Sequence, residues 1–65
     1  MKRLFDELKE AEDVLERKGF YVSIQFDGYF SVLANVYKIE DENGKCYIDR
    51  LTPYQVIGLA NMMRL

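Results

Sequence analysis

The sequence predicts an α+β domain of order α-β-β-β-α, a three-stranded antiparallel meander with two helices packed on one face. Three observations carry this. Leu4, Leu8, Ala11 and Leu15 recur at helical spacing. Phe20, Val22, Ile24 and Phe26 alternate with Tyr21, Ser23 and Gln25 at strand spacing. Thr52-Pro53 then opens a second apolar stripe in the way a helix begins. At 65 residues the chain is read as one compact domain, 1–65, near the lower limit for a single unstapled core.

The first helix is predicted over about residues 2–18, its stripe widened by Phe5 and Val14. Its outer face carries Asp6, Glu7, Glu10, Glu12, Asp13 and Glu16, while Arg17 and Lys18 offset the dipole in the last turn. Gly19 ends the helix, being free to take a positive φ. The first strand, 20–26, is followed by Asp27-Gly28. A three-residue bulged loop of Phe26, Asp27 and Gly28 pairs Ile24 with Phe30, Val22 with Val32 and Phe20 with Ala34, which collects one apolar face together with Val36.

The second strand is predicted from about Tyr29 to Glu40, long enough to need a bend or bulge. Asp41 to Gly44 form the next turn. A two-residue Asn43-Gly44 turn pairs Ile39 with Ile48, and a bulged loop pairs Ile39 with Tyr47; the sequence leaves both open. The third strand runs from Lys45 to about Leu51. Thr52 as N-cap, Pro53 at the first helical position and Gln55 completing a capping box start a helix over about 53–64, with Val56, Ile57, Ala60 and Met63 facing the core. Gly58 in that helix suggests a close backbone approach. With Gln55 and Asn61 it makes an uncharged strip that is a second candidate interface.

This arrangement leaves Tyr21, Tyr29, Leu33 and Tyr37, with Ile39 or Tyr47, on the sheet face away from the helices. A solvated face is normally polar, and tyrosine is enriched where proteins meet. Tyr21, Tyr29, Leu33 and Tyr37 are therefore the expected partner-binding residues, the partner being another protein or a second copy of the chain.

Composition bounds the chemistry. Nine Lys and Arg against eleven Asp and Glu give a net charge of -2, so general attraction to nucleic acid or anionic membrane is not expected. The chain has no His and one Cys, and its pattern buries no pair of acids; catalysis, a metal site and a cofactor are not expected. Cys46 is read as a small apolar strand residue of a reducing compartment. Met1 to Phe5 run into acidic residues rather than the apolar core of a signal peptide, and no segment approaches a membrane span. A cytoplasmic protein is expected.

The α-β-β-β-α order resembles the double-stranded-RNA-binding domain over the whole chain, which would imply nucleic-acid binding. That family's second helix opens on a lysine cluster and its first inter-strand loop carries a histidine. Here Thr52-Pro53-Tyr54-Gln55 stands at the helix start and no histidine occurs. The small, acidic, cysteine-poor format is similar to that of phage-encoded inhibitors of host nucleic-acid enzymes, anti-CRISPR proteins included. That resemblance implies a non-catalytic inhibitor or accessory factor occupying a host protein's surface. Independently of that format, the carboxylates spaced along the first helix can imitate phosphates, and Asp6, Glu10, Asp13 and Glu16 form an alternative acidic site. A structural homodimer built back to back on the aromatic sheet face is a further expectation.

Overall fold

The computed structural model describes residues 3–64. Helix α1 spans Leu4–Arg17, β1 Tyr21–Phe26, β2 Val36–Glu40, β3 Cys46–Leu51 and α2 Pro53–Met63. The helix start expected at Lys2 falls outside the described residues, as do Met1 and Leu65. The strands form one antiparallel sheet in the order β1-β2-β3. Both helices pack on one face of it, so the domain is the α-β-β-β-α fold the sequence predicts, in two layers.

The helix ends are made by local chemistry. Beyond α1, Gly19 takes φ +87°; its N–H donates to the Glu16 carbonyl at 3.0 Å, and that of Phe20 donates to Leu15 at 2.9 Å. These are the two bonds of a Schellman cap, for which the left-handed glycine is required. At α2, Gln55 N–H donates to Thr52 Oγ1 at 3.2 Å, and Thr52 N–H donates to Gln55 Oε1 at 2.8 Å, which closes the expected capping box around Pro53.

Leu8, Ala11 and Leu15 of α1 meet Val56 and Ala60 of α2 over Tyr37 and Ile39 of β2 and Leu51 of β3, and these eight residues are the buried core. Each large side chain among them contributes roughly 1.5–3 kcal/mol by leaving water. Phe20, Val22, Val32, Ile57 and Met63 pack around them, half-buried.

The first hairpin departs from the expected register. Tyr21 pairs with Glu40, Val22 with Ile39, Ser23 with Lys38 and Ile24 with Tyr37; Val22 does not meet Val32, nor Ile24 Phe30. The strand expected from Tyr29 begins only at Val36, and residues 27–35 form a loop containing a 3₁₀ turn, Val32–Ala34. Asp27, Ser31 and Asn35 accept backbone N–H groups within this loop, so its polar backbone is satisfied locally and has no need of a ladder. Pairing through Val36–Glu40 also brings two larger side chains, Tyr37 and Ile39, onto the core face. Phe30 and Ala34, expected in the core, are exposed, and Ile24 is half out of it.

The second hairpin uses the bulged turn yet reaches the other pairing. Gly44, at φ +80°, donates to the Asp41 carbonyl, Asp41 N–H donates to Lys45, and Glu40 pairs with Cys46. Tyr47 is then an extra residue, so Ile39 meets Ile48; a second shift, where Arg50 takes φ +56°, sets Tyr37 opposite Leu51. Two bulges thus bring Leu51 into the core and set Ile48 opposite the buried Ile39, although Ile48 itself stays exposed. Tyr47 lies outside, its ring tilted against Phe20 with centroids 5.0 Å apart. A third irregularity stands at Gln25 in β1, whose side-chain carbonyl accepts the Arg50 N–H at 3.0 Å from across β2.

Gly58 of α2 is exposed, and a Cβ placed on it would meet nothing within 4 Å; the expected close approach is not made within the described fold. Gly58→Ala is expected to raise stability by about 0.5–1 kcal/mol, read as a higher urea midpoint at unchanged slope. A fall would show that the glycine answers a contact outside the monomer.

Candidate partner-binding surface

The open sheet face is mixed, with polar groups at its centre and Tyr21, Phe26 and Val36 toward its ends. With Ser23 opposite Lys38 and Tyr21 opposite Glu40, it carries a Lys38–Glu40 ion pair at 3.5 Å, and Ser23 Oγ donates to Glu40 Oε1 at 3.5 Å. Of the expected partner-binding residues only Tyr21 lies there, 46% exposed. Tyr37 must be corrected outright: it is 3% exposed in the core, and its phenolic oxygen accepts a hydrogen bond from Asn35 Nδ2 at 3.2 Å. Ile39 is likewise buried. The slip of the first hairpin explains both, since it turns odd-numbered residues of β2 toward the helices.

Tyr29 and Leu33 are exposed, but on the loop before β2 rather than on the sheet. This loop is built, not slack. Asp27 Oδ1 accepts from Tyr29 N–H at 2.9 Å, Asn35 Oδ1 from Gly28 N–H at 2.7 Å, and Ser31 Oγ from Leu33 N–H at 3.1 Å. Phe30 N–H donates to the Gly28 carbonyl at 2.6 Å across Tyr29, which sits at φ +63°. That is a γ-turn with a positive central φ, a rare and strained form. It holds Tyr29 87% and Phe30 99% exposed, with Leu33 on the next turn at 57%.

The apolar surface continues from the loop to the sheet end and α1. A hollow beside Asp27, Tyr29, Phe30 and Ser31 shares Val32 and Asn35 with a cleft of about 190 Å³ lined by Phe5, Leu8, Ile24 and Tyr37. Phe5 and Ile24 are each more than half exposed, whereas the exposed Phe26 pairs with Val36 and lies on the opposite, open face of the sheet. Lys9 and Glu12 also line the cleft. The Lys9 ammonium stands 5.3 Å from the centroid of the Phe5 ring. Burial pushes the Glu12 carboxyl above the usual carboxylate range, against the lowering effect of Lys9 and with smaller raising effects from Glu16 and Asp13.

Sequence reasoning missed Phe5, Ile24, Phe26 and Phe30 as surface residues. The available signal was the recurrence of Asp27, Gly28, Ser31 and Asn35, turn-forming residues spread through a stretch read as strand. The alternative acidic residues lie on α1, with Asp6, Asp13 and Glu16 exposed and Glu10 half-buried. Glu10 and Asp13 border an interhelical groove together with Arg17 and Arg64, so cations flank that part of the carboxylate row. Cys46 is exposed on β3. Among the described residues no group of His, Cys, Asp or Glu is arranged to hold a metal ion, and no helix is long and apolar enough to cross a membrane. Comparison with protein-family models gives no match, and neither curated proteins nor solved structures show a significant similarity to this chain.

Proposed function

We propose that the protein is a non-catalytic protein-binding module, an inhibitor or accessory factor of the kind phages encode, acting by covering part of a partner's surface. Its contact residues are Tyr29, Phe30 and Leu33 on the loop, continued by Phe5 and Ile24. The observation that carries this reading is Tyr29. A non-glycine residue at φ +63° in a γ-turn costs the fold, glycine would sit there with less strain, and the tyrosine ring buries almost nothing in return. Folding gives no reason for tyrosine at this position or for a fully exposed Phe30 beside it. A contiguous apolar patch on a small domain is a surface for a partner. On the open face the Lys38–Glu40 pair and Ser23 separate Tyr21 from Phe26 and Val36, an interrupted surface that does not favour the sheet-to-sheet homodimer.

The test begins with a photo-crosslinking phenylalanine analogue at Phe30 and, as control, at Tyr21. A protein partner is expected to be captured from the first position and not the second. With that partner purified, Tyr29→Gly with Phe30→Ser should weaken binding by about 100-fold, the loss typical of aromatic anchors. The melting temperature of the free domain should hold or rise. Equal capture from both positions, or a doubly substituted protein that binds as before, would reject the assignment.

A further inference from the structure

We infer that the cleft between the first half of α1 and the end of β1 receives an arginine or lysine side chain from an apolar segment of the partner protein, its cation resting on Glu12. The inference rests on the docking surface proposed above and adds the chemistry of what docks there.

The cleft's size comes first. About 190 Å³ is room for one long side chain, and falls below the ~300–1,000 Å³ of small-molecule sites. Its walls are Phe5, Leu8, Ile24, Val32 and Tyr37, which suit a methylene stem. Its one carboxylate is Glu12, half-buried, with no hydrogen bond or ion pair among the described residues. Lys9, which also lines the cleft, holds its ammonium over the Phe5 ring, and its charge only partly offsets the burial of Glu12. A carboxylate drawn out of water beside apolar walls is costly until a cation meets it. An arginine would satisfy it and lay its planar head against the aromatic wall. Asp13 and Glu16, farther along the same helix, add a negative field that draws a basic segment toward the groove. A wholly apolar partner would bury Glu12 further with only the Lys9 charge to offset it, and a carboxylate brought against Glu12 would be repelled.

The experiment pans a displayed library of random short peptides on the intact protein, keeping those displaced when Tyr29→Gly with Phe30→Ser is used as the target. The expected winners carry arginine or lysine among apolar residues. A synthetic winner with its arginine replaced by citrulline, the neutral isostere, should bind wild type about tenfold more weakly or worse, the size of one charge-assisted contact. The same replacement should cost nothing on Glu12→Gln, whose fold is checked by its amide spectrum. Apolar winners without a basic residue, or an equal citrulline effect on both proteins, would overturn the inference and leave the docking surface standing. A library from which nothing is selected through the loop would overturn both. A concentration-dependent dimer abolished by Ile24→Ser would assign the cleft to a second copy of this chain, also against the inference.

Discussion

Tyr37→Ala is expected to leave the chain unfolded at 25 °C. The ring is 3% exposed between Ile24 and Leu51 on the sheet and among the buried residues of both helices. Truncating a buried aromatic to alanine costs about 3–5 kcal/mol. A single core in a domain of this size rarely supplies more than about 3–5 kcal/mol altogether. The loss therefore matches the whole stability, and the amide spectrum should collapse to the narrow dispersion of a disordered chain. Tyr37→Phe is the control. It keeps the ring and removes only the bond from Asn35, for a cost of about 1 kcal/mol. A Tyr37→Ala domain that stays folded and loses a partner instead would put the tyrosine back on an interface and contradict the packing described here.

Gly28→Ala is the second substitution with a large expected effect, and its origin is steric. A Cβ at position 28 would overlap the Ala34 Cβ and stand 2.6 Å from the Ala34 carbonyl carbon and 2.8 Å from its oxygen. Backbone cannot give way as a flexible side chain does, so the loop must open. Opening it breaks the bond from Gly28 N–H to Asn35 and loosens Val32 from the core edge. Overpacking of this kind costs about 1–3 kcal/mol, which for a domain this small lowers the melting temperature by roughly 10 °C. Hydrogen exchange should quicken first at Leu33, Ala34 and Asn35, whose N–H groups are held inside the loop. A melting temperature within a degree or two of wild type would mean that residues 27–35 do not fold back as described. Partner binding should fall in the same variant, because the geometry that displays Tyr29 and Phe30 is lost with the loop.

The sequence makes the helices plain because their signals are local. Gly19 follows a charged last turn, and Thr52, Pro53 and Gln55 stand at the N-cap, first and third positions of α2, so each boundary is decided by residues close in the chain. Strand pairing has no such locality. Phe30, Val32, Ala34 and Val36 alternate as a strand would, and pairing the first three with Ile24, Val22 and Phe20 gives a consistent apolar face. Against that pattern stood three short polar side chains, Asp27, Ser31 and Asn35, each able to satisfy a nearby backbone N–H. Whether alternation or local bonding wins depends on what the helices press against the sheet, and Tyr37 and Ile39 fill that space better. The candidate site moved with the register. Tyr29 and Leu33 remain exposed for a different reason from the one the pattern suggests, while Tyr37 crossed to the interior. In the second hairpin the turn and the apolar pairing each implied a register, and the chain accommodates both by inserting Tyr47 as a bulge.

Those irregular residues have a consequence at the rims of the sheet. β1 and β3 are the outer strands, and each carries at least one residue that breaks the even run of donors and acceptors: Gln25 on one side, Tyr47 and the left-handed Arg50 on the other. The Gln25 carbonyl pins the Arg50 N–H and holds that distortion in place. A strand from a neighbouring copy arriving at either rim finds no straight template along which to zip. The protein is thereby guarded against growing sideways into a fibril, even while it keeps unshielded aromatic rings at its far end.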